Sequence, residues 1–141
     1  MKHRAVMTIT ALILCAALLA SGCSARTRKR NQIRKDPMAS ATWDGLELLG
    51  TEESPAGGWK PPSPSLTRCF HMTIPINEAF DKILTTAKQH KWTEVDTPKP
   101  SDTRWATKGS KEGGMTLSIT TSITRCKQYP ETNLATTITL S

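Results

Sequence analysis

Hydrophobic and polar positions fall into distinct regimes along this chain. Ala5 to Ala20 is almost continuously apolar, interrupted only by Thr8 and Thr10. Ser24 to about Ala41 is polar and basic without periodicity and reads as a disordered spacer. Trp43, Leu46, Leu48 and Leu49 then form a weak apolar cluster that fits a short edge strand or a docked segment. Between Ser54 and Ser65, Pro55, Gly57, Gly58, Pro61, Pro62 and Pro64 exclude regular structure, so a linker or long loop is expected. Pro61-Pro62-Ser63-Pro64 favours extended polyproline geometry, read as a stiff spacer rather than a partner's ligand.

Periodic structure begins near Leu66. Phe70, Met72 and Ile74 alternate with His71 and Thr73, predicting a strand with one buried face that Pro75 ends. Ile76, Ala79, Phe80, Ile83, Leu84 and Ala87 then recur at spacings of three and four, the apolar stripe of an amphipathic helix. Trp92 to Val95 reads as a return strand, Asp96 to Asp102 as a loop, and Thr103 to Lys108 as the next strand. Gly109, Gly113 and Gly114 bracket a hairpin connection, followed by alternation at Met115, Leu117, Ile119, Thr121 and Ile123 and again at Leu134, Thr136, Ile138 and Leu140. The expected fold class is α+β: one amphipathic helix packed on a mostly antiparallel sheet of about four to five strands.

Cys69 and Cys126 are both expected to point away from the buried sheet face, and they meet if their strands are neighbours. In an exported chain such a pair forms a disulfide, which matters for a folded core of only about 75 residues. Closely spaced metal ligands such as a C-x-x-C pair are absent from the sequence, and no metal or cofactor is expected.

The N-terminal segment decides location. Lys2 and Arg4 precede the apolar run, and Leu19-Ala20-Ser21-Gly22-Cys23 closes it with small residues, as in an export signal. The run is short for a membrane span, which needs roughly 20 apolar residues. Residues 1–23 resemble the signal class of bacterial lipoproteins, although the preferred Leu stands one place early at Leu19. That resemblance implies diacylglycerol attachment and acylation at Cys23 with cleavage just before it, discarding Cys15. It implies a cell-membrane location on the extracytoplasmic face. The layout as a whole resembles small uncharacterised lipoproteins of Gram-positive actinobacteria, which implies no particular activity.

Charge follows the same division. The formal net charge is +7, yet Arg26, Arg28, Lys29, Arg30, Arg34 and Lys35 stand together without an acid among them, and from Asp36 onward the charges nearly balance. Beside a lipid anchor such a cluster favours anionic head groups by about 1 kcal/mol per basic residue. A nucleic-acid patch is disfavoured, because no aromatic residue interleaves with it. The expected organisation is therefore a signal peptide over 1–22, a lipidated Cys23 with a basic tether over 23–44, a weak edge segment and linker over 45–65, and an α+β domain over 66–141. A flexible tether and linker of about 40 residues would give a reach of roughly 35 Å.

Catalytic apparatus is not evident. His71 and His90, the histidines beyond the signal, have no partner at general-base or ligand spacing, and no G-x-S-x-G or S-x-x-K frames a nucleophile. Glu52 and Glu53 read as solvated, Trp92 and Trp105 as packing residues, and Trp59 as a possible binding surface. The expected function is a membrane-anchored binding module for an unknown protein or envelope partner. The alternatives are an envelope-acting enzyme whose residues converge only in space, or a cell-surface inhibitor or exclusion lipoprotein.

Overall fold

The computed structural model describes residues 25–55, 58–93 and 105–141. Residues 25–35 form helix α1, a 3₁₀ turn follows at Pro37–Ala39, and then come β1 (Leu46–Glu53), β2 (Ser65–Met72), α2 (Ile76–Gln89), β3 (Ala106–Lys111), β4 (Met115–Thr120) and β5 (Leu134–Leu140). The strands form one sheet in the order β1-β2-β5-β4-β3, with every neighbouring pair antiparallel. The α+β class holds, with two helices rather than one. Among the described residues no helix is long and apolar enough to cross a membrane.

Helix α2 follows its apolar stripe: Ala79, Phe80, Ile83, Leu84 and Ala87 are buried. Its end is set by Lys91, which takes the left-handed conformation (φ 65°) and lets the Trp92 amide return to the Ala87 carbonyl at 3.0 Å. Alternation along the strands sends Leu66 and Phe70 of β2, Leu134, Ile138 and Leu140 of β5, and Met115, Leu117 and Ile119 of β4 into the same core as the helix stripe. A helix is about 10 Å across with its side chains, whereas five strands at about 4.8 Å spacing span roughly twice that. The stripe of α2 alone leaves part of this face uncovered.

The missing cover comes from the segment expected to be a disordered tether, and that expectation is corrected here. Ile33 of α1 and Met38 of the 3₁₀ turn are buried members of the core, at 2% and 1% exposure. Between them, the Asp36 carboxylate is buried and fully engaged. Its Oδ1 accepts from the Met38 amide at 2.9 Å and from Trp92 Nε1 at 3.4 Å, and its Oδ2 takes an ion pair from Lys111 Nζ at 2.7 Å. Arg68, on the core face of β2 and only 2% exposed, donates from Nη1 to the carbonyls of Met38 and Ala41. Its guanidinium lies over the rings of Phe70 and Trp43, and burial pushes its pKa below the ordinary arginine value. Trp43 completes the layer, packing edge-on against Phe70 and donating from Nε1 to Thr86 Oγ1 of α2 at 2.8 Å.

The expected domain boundary near residue 66 is corrected by the same contacts. β1 is an edge strand of the single sheet, and the proline-rich stretch is the loop of the β1–β2 hairpin rather than a linker between units. Gly109 lies within β3, while Gly113 and Gly114, with φ of 86° and 76°, make the β3–β4 turn. Of the expected return strand, Thr93 forms an isolated bridge to Ser110. Residues 94–95, the loop over 96–102, and the expected strand start at Thr103 lie outside the described residues.

Replacing Asp36 by Ala strands the Lys111 ammonium and is expected to cost about 3–5 kcal/mol of unfolding free energy, read from urea denaturation; a disordered segment would give a loss near zero. A second expectation concerns acid. Arg34 of α1 binds Glu53 of β1 through both carboxylate oxygens, at 2.8 and 2.9 Å. The hydrogen bond from Arg34 holds the Glu53 carboxyl below its usual range; partial burial opposes this, and the charges of Arg34 and Arg30 add to it. The folded state thus favours the ionised form. The contact's contribution is complete above the ordinary carboxylate pKa and is lost as pH falls through the lowered folded value. Glu53→Gln is expected to flatten that part of the stability-versus-pH curve below about pH 4.

Candidate functional site

The two sheet faces differ in chemistry. Residues alternating with the core positions bring Thr67 of β2, Thr137 and Thr139 of β5, and Thr116, Ser118 and Thr120 of β4 to the face away from α2. The strand registers set Thr67 beside Thr137 and Thr137 beside Ser118. This face carries a groove of about 250 Å³, floored by Thr67, Ser118, Thr120, Ala135, Thr137 and Thr139. Ser122, Thr124 and Arg125, from the segment after β4, form its wall.

A disulfide positions that wall. Cys69 and Cys126 are bonded across a sequence separation of 57 residues, and both are buried beside Ala135. The expected pairing is correct, but its route is not. Cys126 lies beyond the end of β4, and β5 separates β4 from β2, so the connection crosses over β5 to reach Cys69. Glu52 helps to hold it by accepting from the Cys126 amide through Oε2 at 3.0 Å. Cys126 itself adopts φ 66°, a left-handed conformation that costs a non-glycine residue energy unless its surroundings hold it. Further along, Tyr129 lies against Gly50, where an added Cβ would fall 2.0 Å from the ring. Leu49 is the extra residue of a β1 bulge that interrupts the register between Leu48 and Gly50.

Among the described residues, Arg125 supplies the only charge lining the groove. Its Nη1 donates to Ser65 Oγ at 2.9 Å and to Thr67 Oγ1 at 3.2 Å, and Thr67 Oγ1 lies 3.0 Å from Thr137 Oγ1. Among the described residues no carboxylate pairs with it. Two hydroxyls therefore fix one arm of the guanidinium, while Nε and Nη2 remain a planar donor edge suited to a carboxylate or phosphate. The surrounding hydroxyls both donate and accept, which matches the hydroxyls of a polyol. Among the described residues no aromatic ring lines the groove, and the groups present there recognise a ligand through hydrogen bonds rather than stacking.

The expected site residues are distributed differently. Arg26 and Arg30 donate to the carbonyls of Pro55 and Ser54, at 2.7 and 2.5 Å, and Arg34 binds Glu53, so these three face the domain rather than serving a free tether. Arg28, Lys29 and Lys35 are exposed, and Cys23 lies outside the described residues. Trp59 is fully exposed in the β1–β2 loop, remote in sequence from the groove's wall. Trp92 and Trp105 are packing residues: Trp92 is buried on Asp36, and Trp105 packs on Phe80 with ring centroids 5.4 Å apart. His71 Nδ1 lies 3.1 Å from the Glu131 carbonyl oxygen, and the His90 amide caps α2. Neither histidine hydrogen-bonds a hydroxyl or thiol among the described residues. Glu52, Cys69 and Cys126 bring ligand-type atoms within 4.8 Å of one another, but sulfurs bonded to each other offer no thiolate to a metal.

Sequence reasoning missed Arg125 and the hydroxyl floor. The alternating threonines were a readable signal for the floor, whereas nothing local marks Arg125 apart from its neighbour Cys126. No protein-family model, no curated protein and no solved structure matches the chain.

Reducing the disulfide is expected to cost up to about 4 kcal/mol in the chain-entropy model. It is also expected to broaden amide NMR signals over residues 121–129 while those of α2 stay sharp. Unchanged signals for that segment would mean the disulfide does not hold the wall.

Proposed function

We propose that this chain is a membrane-anchored extracytoplasmic binding module, and that its groove takes an anionic, polyhydroxylated ligand such as an acidic sugar or a polyol phosphate of the cell envelope. The supporting observation is Arg125, held by Ser65 and Thr67 with a free donor edge among hydroxyls. The groove's volume is slightly below the range of drug-sized sites, which begins at about 300 Å³, and suits one or two sugar units. The anchoring part of the proposal rests on the lipoprotein-like segment ending at Cys23. An envelope hydrolase finds less support, because the described residues set no base beside a nucleophile.

Titration with glucuronic-acid and glycerol-phosphate oligomers is expected to shift the amides of Thr67, Ser118 and Thr137, whereas neutral glucose oligomers do not. Arg125→Gln is expected to weaken that binding by roughly tenfold or more, the effect of losing hydrogen bonds to a charged group. Equal response to neutral and anionic oligomers would exclude this ligand class. For the anchor, Cys23→Ser is expected to abolish acyl modification by mass spectrometry and to move the protein out of the detergent-rich phase; unchanged partitioning would sink the lipoprotein reading.

A further inference from the structure

We infer that the α1 end of the domain is a docking face for an anionic lipid bilayer, with Trp59 as its interfacial anchor; this rests on the anchored reading above. Three observations converge on one end of the sheet. First, α1 is bound there rather than free: Arg26 and Arg30 hold the carbonyls of Pro55 and Ser54, and Ile33 and Arg34 fasten its second half. Cys23 precedes the first described helical residue, Ala25, by two positions, and two residues of chain span at most about 7 Å. An acyl chain on Cys23 therefore holds this end of the domain close to the head groups, in place of the roughly 35 Å reach expected of a flexible tether.

Second, the loop that carries Trp59 leaves the sheet at the same end. Ser54 and Ser65 close the β1–β2 hairpin through a reciprocal pair, the Ser54 amide to the Ser65 carbonyl and the Ser65 amide to Ser54 Oγ, both at 3.0 Å. Pro55, gripped by Arg26, begins the loop. Trp59 is fully exposed and packs on none of the described residues, which is unusual for the side chain with most to gain from leaving water. Indole is favoured at the head-group level of a bilayer.

Third, charge matches the occupant. Arg28, Lys29 and Lys35 of α1 and Lys60 beside Trp59 are exposed, and no described acid pairs with them. Among the described side chains at this end, Glu112 of the β3–β4 turn is an exposed opposing charge, whereas Glu53 and Asp36 are already engaged. Two acyl chains, as a diacylglycerol on Cys23 supplies, hold a protein stably on a membrane but leave its orientation open. The basic face and Trp59 add surface attraction to that anchor, and they fix the domain's orientation so that the groove, on a sheet face, opens sideways along the membrane.

The test uses the full chain produced with its native processing, reconstituted in vesicles of phosphatidylcholine and phosphatidylglycerol containing shallowly brominated acyl chains. Trp43, Trp92 and Trp105 are half-buried or buried, so bromine quenching of indole emission is expected to come from Trp59 and to disappear in Trp59→Phe. Quenching is expected to fall in phosphatidylcholine alone. It is expected to fall also in Arg28→Gln/Lys29→Gln/Lys35→Gln, by roughly fivefold in surface affinity for each charge removed. Quenching that persists in Trp59→Phe overturns the docking face. So does a Trp59 still open to aqueous iodide on vesicles, an outcome that leaves the loop to a protein partner. Mass spectrometry of the same sample reads acylation of Cys23 separately, so loss of the anchor and loss of the docking face are distinguishable.

Discussion

The buried carboxylate of Asp36 joins three parts of the chain that are distant in sequence. It caps the turn at Met38, receives Trp92 from just beyond α2, and pairs with Lys111 at the end of β3. Lys111 in turn lies over the Trp92 ring. A carboxylate with one percent of its side chain exposed is tolerated only where donors surround it, and here each donor comes from a different element. The arrangement converts residues 25–43 from a leader into part of the core and completes the layer that α2 leaves unfinished. Arg68 does the complementary job at the centre of β2, holding the same segment by its carbonyls while two aromatic rings face the guanidinium.

Closing one face determines what the other can do. With the apolar residues of β2, β4 and β5 committed to the covered side, the alternate positions are left with hydroxyls, and the sheet presents a polar surface of fixed spacing. A flat hydroxyl surface is not yet a site. The connection after β4 makes it one by crossing β5, bonding to Cys69 and lowering Arg125 onto Ser65 and Thr67. Glu52 and Glu53 show the same division at adjacent positions. Glu52 serves the groove side through Cys126, and Glu53 serves the covered side through Arg34.

Much of the fold was legible in the sequence, for reasons that also explain the failures. The stripe from Ile76 to Ala87 and the alternation in the last strands are long, strongly periodic signals, and the structure follows them. The disulfide was legible from the export expected of the N-terminal segment and from Cys69 facing away from the core, whereas the expected adjacency of the two strands failed because Cys126 lies beyond β4 and β5 intervenes. Helix α1 was not legible, because its inward face uses Arg26, Arg30 and Arg34 in place of apolar residues and contributes only Ile33 to the core. Two signals were nonetheless present. Asp36-Pro37 has the form of an N-cap followed by proline at the first position of a turn. One helix is also too narrow to cover five strands, which demands further cover from elsewhere in the chain. Arg125 escaped notice because its partners, Ser65 and Thr67, lie about sixty residues away and are brought to it only by the crossing connection.

That residues 25–43 belong to the folded domain is the claim on which the groove's position, the closed core and the short leash to Cys23 all rest. Native-state hydrogen exchange at the amides of Met38, Ala39 and Ala41 tests it most directly, because each is bonded within the segment, to Asp36 Oδ1, the Asp36 carbonyl and the Pro37 carbonyl. Protection within about tenfold of that at the central strands β2 and β5 is the result this account predicts. Exchange at the rate of an unstructured peptide, with β2 and β5 still protected, would contradict it.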